Sequence, residues 1–277
     1  MAALPLTSVP PPAATGPDGP VASAVPATQG DHVRNRVIAD AEIIAEADPS
    51  GRTRLPVLRS QAPLVLRRTP EAVYLVGAAA GPLGGDLLSL AITVGPGAFV
   101  RVRTAAASIA LPGIDGAESV FSVTADVAPG GYLEYVPEPL VAAAGARLAT
   151  DFRFTLAEDA SLLLREEILL GRHGETGGAA RTSLRVDYAG RPLLRQALEV
   201  GGDDEASLGP AVLSGHRAIG TLLRAGPAAG PAAGTSSASG ASSAPGVAVM
   251  PLAGAAPGVL VTALADDAVT LRRRLSR

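Results

Sequence analysis

The first place in this sequence where chemistry is possible is Arg165-Glu166-Glu167, followed by Leu170-Gly171-Arg172-His173-Gly174-Glu175, a polar cluster inside an otherwise aliphatic run. Carboxylate oxygens and an imidazole suit a borderline divalent cation. A carboxylate among leucines is costly unless it is paired, hydrated or bound to a cation. Alternation along a strand sends Glu166 and Glu167 to opposite faces, which predicts that they are not both buried and that Glu166 is the one turned inward. A surface ion pair with Arg165 or Arg172, worth at most ~1 kcal/mol, reads the same residues equally well. His173 is the histidine nearest this acid cluster, and a solvated loop residue is its alternative reading; His216, beside Gly215, reads as a surface or capping residue at the start of a short helix. No two histidines stand at ligand spacing, so any metal contact is expected to be transient, with no cofactor tightly bound.

A second candidate is the glycine-rich segment Gly81-Pro82-Leu83-Gly84-Gly85-Asp86. Glycines let backbone N–H groups approach an anion, but no P-loop lysine is present and the segment feeds a strand pattern instead of opening a helix. The expectation is a structural turn with positive φ at Gly84 or Gly85 and Asp86 hydrogen-bonded to its backbone. Nothing marks a nucleophile, since no Gly-x-Ser-x-Gly elbow occurs. Glu134 and Glu138 can be read as a glycosidase pair, which makes a β-solenoid glycan hydrolase the alternative function. The absence of Trp, with four Tyr and four Phe, is poor provision for stacking sugars.

The elements that position these residues are mostly strands. Leu90–Arg103, Phe121–Tyr135 and Phe152–Arg165 each read as strand, turn, strand, with turns at Gly95–Ala98, Ala128–Gly131 and Ala157–Ala160. A recurrence of roughly 30 residues points to a stacked or solenoid-like β architecture in which each unit buries its face on the next. A fourth pair turns at Ala189-Gly190. Helical periodicity is confined to Gly215–Arg224 and Asp266–Leu275, the latter with acids first and arginines last as the helix dipole favours, and Val259–Leu264 between them reads as a strand. Residues 1–30 have the Pro/Ala-rich composition of a disordered tail. The remainder, 31–277, reads as a single β-rich domain with a flexible loop at 226–246.

Composition removes several classes. A net charge of −3 gives no basic field for nucleic acid. With no cysteine, disulfides and thiolate metal sites are excluded. No apolar run reaches the ~20 residues of a membrane helix and no leader is evident, so a cytoplasmic protein is expected. With 18% charged residues against 47% hydrophobic, exposed apolar surface and dependence on a partner for solubility are expected.

Two blocks carry a family resemblance. Gly81, Gly84, Gly85 and Asp86 fit the Gly-Gly-x-x-Gly-Gly-Asp pattern of the urease accessory protein D family (UreD, also UreH), with Ala80 replacing the first glycine. Thr104, Ala106 and Ala107 fit its Thr-x-Ala-Ala block, while Ile109, Leu111 and Pro112 stand where that family carries a Lys, Tyr and Arg cluster. Glu166 and Gly171-Arg172 match its Glu-to-Gly-Arg spacing. The resemblance implies a β-rich, helically wound fold. It also implies a non-enzymatic scaffold for nickel insertion that binds the urease apoprotein and an F-type accessory protein, and reaches a G-type GTPase through the complex. A transient nickel path past Glu166, with His173 as a second contact, would follow.

Overall fold

The computed structural model describes residues 36–229, 242–253 and 256–276. The tail expected over 1–30 and the centre of the loop expected over 226–246 lie outside the described residues. The first strands are β1 (Ile38–Ala47), β2 (Thr53–Arg59), β3 (Leu64–Arg68), β4 (Val73–Gly77), β5 (Leu87–Val94) and β6 (Phe99–Thr104). Next come β7 (Ser108–Ala110), β8 (Ser119–Val127), β9 (Tyr132–Tyr135), β10 (Leu140–Ala142), β11 (Arg147–Leu156) and β12 (Ser161–Leu170). The C-terminal third holds β13 (Ala179–Tyr188), β14 (Arg191–Gly201), α1 (Glu205–Leu208), β15 (Ala218–Ala225), β16 (Ser242–Ala244), β17 (Val247–Pro251), β18 (Gly258–Ala265) and α2 (Ala268–Leu275).

The wound stack expected from the repeat is present. Each of the three units gives its first strand to one sheet, where β5, β8 and β11 lie parallel, and its second strand to another, where β6, β9 and β12 lie parallel. The three turns superpose because each holds a left-handed residue at its third position: Gly97 (φ 65), Gly130 (φ 68) and Asp159 (φ 60). In the first sheet the register sets Ala41, Leu90, Val123, Phe152 and Leu184 side by side across five strands. Leu133, Tyr135, Leu162 and Leu164 of the second sheet meet this ladder from the other side, and the core lies between the sheets. The fourth pair departs from the repeat, since β13 and β14 form an antiparallel hairpin within the first sheet.

The helix expected over Gly215–Arg224 is instead strand β15, antiparallel to β12 and β18. It is buried on both faces, so it lacks the alternation that marks a strand, and Ile219, Leu222 and Leu223 imitate a helical stripe. The ends of the loop expected over 226–246 are also regular: Pro227–Ala229 forms a 3-10 turn and β16 begins at Ser242. The terminal helix forms as expected. Asp267 caps it by accepting from the Thr270 amide at 2.8 Å, and Leu271 and Leu275 pack on Leu222, Val261 and Ala263 of the second sheet. No helix among the described residues is long and apolar enough to cross a membrane.

Candidate functional site

The second sheet has a gap. Strands β6 and β9 end at Thr104 and Tyr135, and pairing resumes only at β7 and β10, so residues 105–107 and 136–139 leave the ladder. A cavity of about 410 Å³ fills this gap. Its lining includes Phe121 and Phe152 from the first sheet and also Glu138 and Glu167 from the outer side of the second. The interior between the sheets is thereby joined to the outer face of the protein.

Both sequence blocks that carry the resemblance wall this cavity. Gly85 has φ 97, and the buried Asp86 accepts from the Val37 and Leu83 amides, each at 2.9 Å, so the expected structural turn is present. Gly84 donates to the Leu111 carbonyl at 3.0 Å, and Leu111 donates to the Pro82 carbonyl at 2.9 Å, which docks the second block on the first. Where the family pattern carries its basic and aromatic cluster, this chain presents the aliphatic Ile109 and Leu111 to the cavity. The Thr104 hydroxyl accepts from the Glu138 amide at 2.8 Å and so shapes the gap itself.

Glu166 faces inward and is buried. Its two oxygens accept from Thr150 Oγ1 at 2.7 Å and Thr182 Oγ1 at 2.9 Å, from threonines that are neighbours in the β11–β13 register. The surface-pair reading therefore does not apply to it. Burial pushes its carboxyl up from the ordinary 4.5, and the two threonine hydrogen bonds act in the opposite direction. Tyr135, in the same cavity, keeps its proton because burial, and then the charge of Glu166, push it up. Its hydroxyl has no hydrogen-bond partner among the described residues.

The expectation that Glu166 and Glu167 are not both buried, and do not share one passage, is corrected: both are buried and both line the cavity. Glu167 does point to the opposite face, but that face is covered, because Glu167 pairs in register with Gly220 and α2 sits directly on Gly220. There its carboxylate meets Arg272 of α2 at 2.8 Å and Arg165 at 3.4 Å, and Arg272 also reaches Glu138 at 2.8 Å. Arg272 is thus a guanidinium shared by two cavity carboxylates.

His173 is not brought to Glu166. It stands on an exposed turn where Arg172 makes a two-pronged pair with Glu175, at 2.9 and 2.7 Å, and Arg217 binds the carbonyls of Leu170, Arg172 and Glu175. His216 precedes a strand, not a helix, and its Nδ1 lies 2.7 Å from Asp266 Oδ1. No group of three metal-ligating side chains occurs among the described residues. Glu134 is held on the outer face by Arg101 and Arg103, at 2.9 and 2.8 Å, and Glu138 by Arg272 at 2.8 Å, so each carboxylate of the candidate glycosidase pair is engaged by arginine. Sequence reasoning missed Thr150, Thr182 and Arg272. The two threonines had a signal, each being a polar break in an apolar strand face at matched positions of successive coils.

A family model described as UreD urease accessory protein matches residues 39–277. The chain belongs to this family. Urease accessory protein UreD of Frankia casuarinae is 45% identical over 95% of this chain and 94% of its own length. Urease accessory protein UreD 3 of Streptomyces griseus is 48% identical over 86% of this chain and 94% of its own length. Family membership gives the chain an accessory, non-catalytic role, and the glycan-hydrolase alternative is set aside.

The raised Glu166 carboxyl has a pH consequence. Its folded state holds the proton more tightly than the unfolded chain, so its contribution to stability is complete below pH 4.5 and is lost as pH rises through the folded value. Urea melts of the wild type and Glu166→Gln should therefore diverge, the variant gaining on the wild type as pH rises above 4.5. A stability difference that does not change with pH would contradict this.

Proposed function

We propose that this chain is a cytoplasmic scaffold of urease maturation that binds the urease apoprotein and an F-type accessory protein, and through that complex a G-type GTPase, while nickel ions pass through its cavity. The observation that carries the reading is the gap in the second sheet, which joins a buried carboxylate, Glu166, to the outer face. A hard or borderline dication suits oxygen donors that hold it weakly and let it go. Glu166 supplies two such oxygens, and the Tyr135 hydroxyl is available to a water carried with the ion. Nickel is cargo here and the protein performs no chemistry on it. His173, exposed on its turn, is outside this passage.

The test is urease activation with Glu166→Gln, which keeps shape and removes the charge. The complex with urease and the F-type protein should assemble normally in gel filtration, while activation falls about tenfold or more, as for loss of a charged group that acts only in transfer. Because Glu167 is structural, the control is Glu199→Gln on the exposed side of β14. Normal activation by Glu166→Gln would refute the passage.

A further inference from the structure

The outer face of the second sheet is divided. Helix α2 covers it over β18, β15 and β12. Over β3, β4, β6 and β9 it bears side chains that the core does not use. Alternation places Val100, Val102 and Leu133 inward and Phe99, Arg101, Arg103, Tyr132 and Glu134 outward, and pairing continues the outward rows through Tyr74 to Arg67. These four strands carry three outward arginines and one outward carboxylate, in a chain whose net charge is −3. Phe121, Tyr135, Phe152, Phe154 and Tyr188 are buried in the core, whereas Tyr74 and Tyr132 are half-buried on this face and Phe99 is 40% exposed there.

The face is also held in shape. Arg101 and Arg103 are fixed by the nearly buried Glu134, while about a third of each side chain stays accessible, at 32% and 38%. Arg101 lies over the Phe99 ring at 5.4 Å from its centroid, and Tyr132 packs against the same ring at 5.2 Å. Arginines and aromatic rings fixed in advance are the residue types on which protein interfaces concentrate their binding energy, and little side-chain freedom remains to be lost on docking. A nucleic acid fits poorly. The Phe99 ring is already engaged by Arg101 and Tyr132, and Glu134 places a negative charge against Arg101 and Arg103.

We infer that this arginine and aromatic face is a docking surface for a protein partner that presents an acidic patch. The inference rests on the scaffold reading above, so the partners to test are the urease apoprotein and the F-type accessory protein. Opposite charge on the partner sets the rate and selectivity of the encounter, and the aromatic centre gives the complex its lifetime.

The experiment is binding of the full chain to each purified partner by interferometry, at low salt and at roughly 0.3 M salt. Arg67→Glu and Phe99→Ala are compared with the wild type, and Arg185→Glu, an equal charge change on the exposed side of β13 in the first sheet, is the control. Both variants leave the Glu134 pairs in place, and urea melts confirm their fold. Arg67→Glu and Phe99→Ala should weaken binding to one of the two partners by about tenfold or more, as at an interface hot spot. Arg67→Glu should also flatten its salt dependence, and Arg185→Glu should bind as the wild type does. Unchanged binding by both variants overturns the docking face while leaving the scaffold reading intact; failure of the wild type to bind either partner overturns the scaffold reading. Sedimentation showing a dimer that Arg67→Glu dissociates would reassign the face to a second copy. Salt-sensitive binding of RNA lost with Phe99→Ala would reassign it to nucleic acid.

Discussion

Replacing Gly84 with alanine is expected to destabilise the protein by about 3 kcal/mol, near the upper end of overpacking costs. A Cβ there would lie 2.4 Å from the Gly113 amide nitrogen and 2.5 Å from the Ala117 carbonyl oxygen. Both obstacles are backbone, so no side chain can swing aside. The 81–86 loop and the segment after β7 would have to separate, breaking the Gly84 to Leu111 hydrogen bond that docks the two blocks on the cavity wall. Gly116→Ala is the comparison in the same segment: its φ is 69 with open space around it, so it should lose only about 1 kcal/mol to backbone strain. Urea midpoints at fixed slope read both values. A Gly84→Ala midpoint no lower than that of Gly116→Ala would show that the close approach is not a constraint.

Removing the Arg272 guanidinium with Arg272→Ala should cost about 2–3 kcal/mol, because it strips the main partner from a buried carboxylate. The Glu167 side chain has 0% exposure and would keep only Arg165 at 3.4 Å, whereas Glu138 is 37% exposed and can be solvated instead. Breaking one half of a buried pair costs more than removing both halves. The double variant Arg272→Ala, Glu167→Leu should therefore recover most of the loss, with a coupling energy of about 1–3 kcal/mol in a double-mutant cycle. Strict additivity of the two single changes would mean that Arg272 does not stabilise Glu167. The pair also ties the C-terminal helix to the site, because Arg272 of α2 holds two of the carboxylates that line the cavity.

The wound β stack was legible because its cause is local. Alternation in Phe152–Leu156 and the recurring turns state both the strand faces and the coil length, and sheet pairing follows from stacking equal coils. The same holds for the Gly81–Asp86 turn, where glycine spacing and a terminal aspartate dictate a conformation that few other residues can adopt. What alternation could not supply was what lies against each face. Strand β15 reads as a helix because α2 and the core cover both its sides, and Glu167 reads as solvent-facing because the helix that covers it is more than 100 residues away in sequence. The cavity is likewise a tertiary product. Its walls come from loop 81–86, block 104–111 and strand β12, while the threonines that hold Glu166 lie one coil apart and the arginine that holds its outer carboxylates lies near the C-terminus. Sequence by itself determined the paired strands of the repeat, where they turn and that Glu166 points inward. Only the tertiary structure decided that the sheet opens at 105–107 and 136–139 and that Glu166 and Glu167, on opposite faces of one strand, line the same cavity, because both depend on packing between residues far apart along the chain.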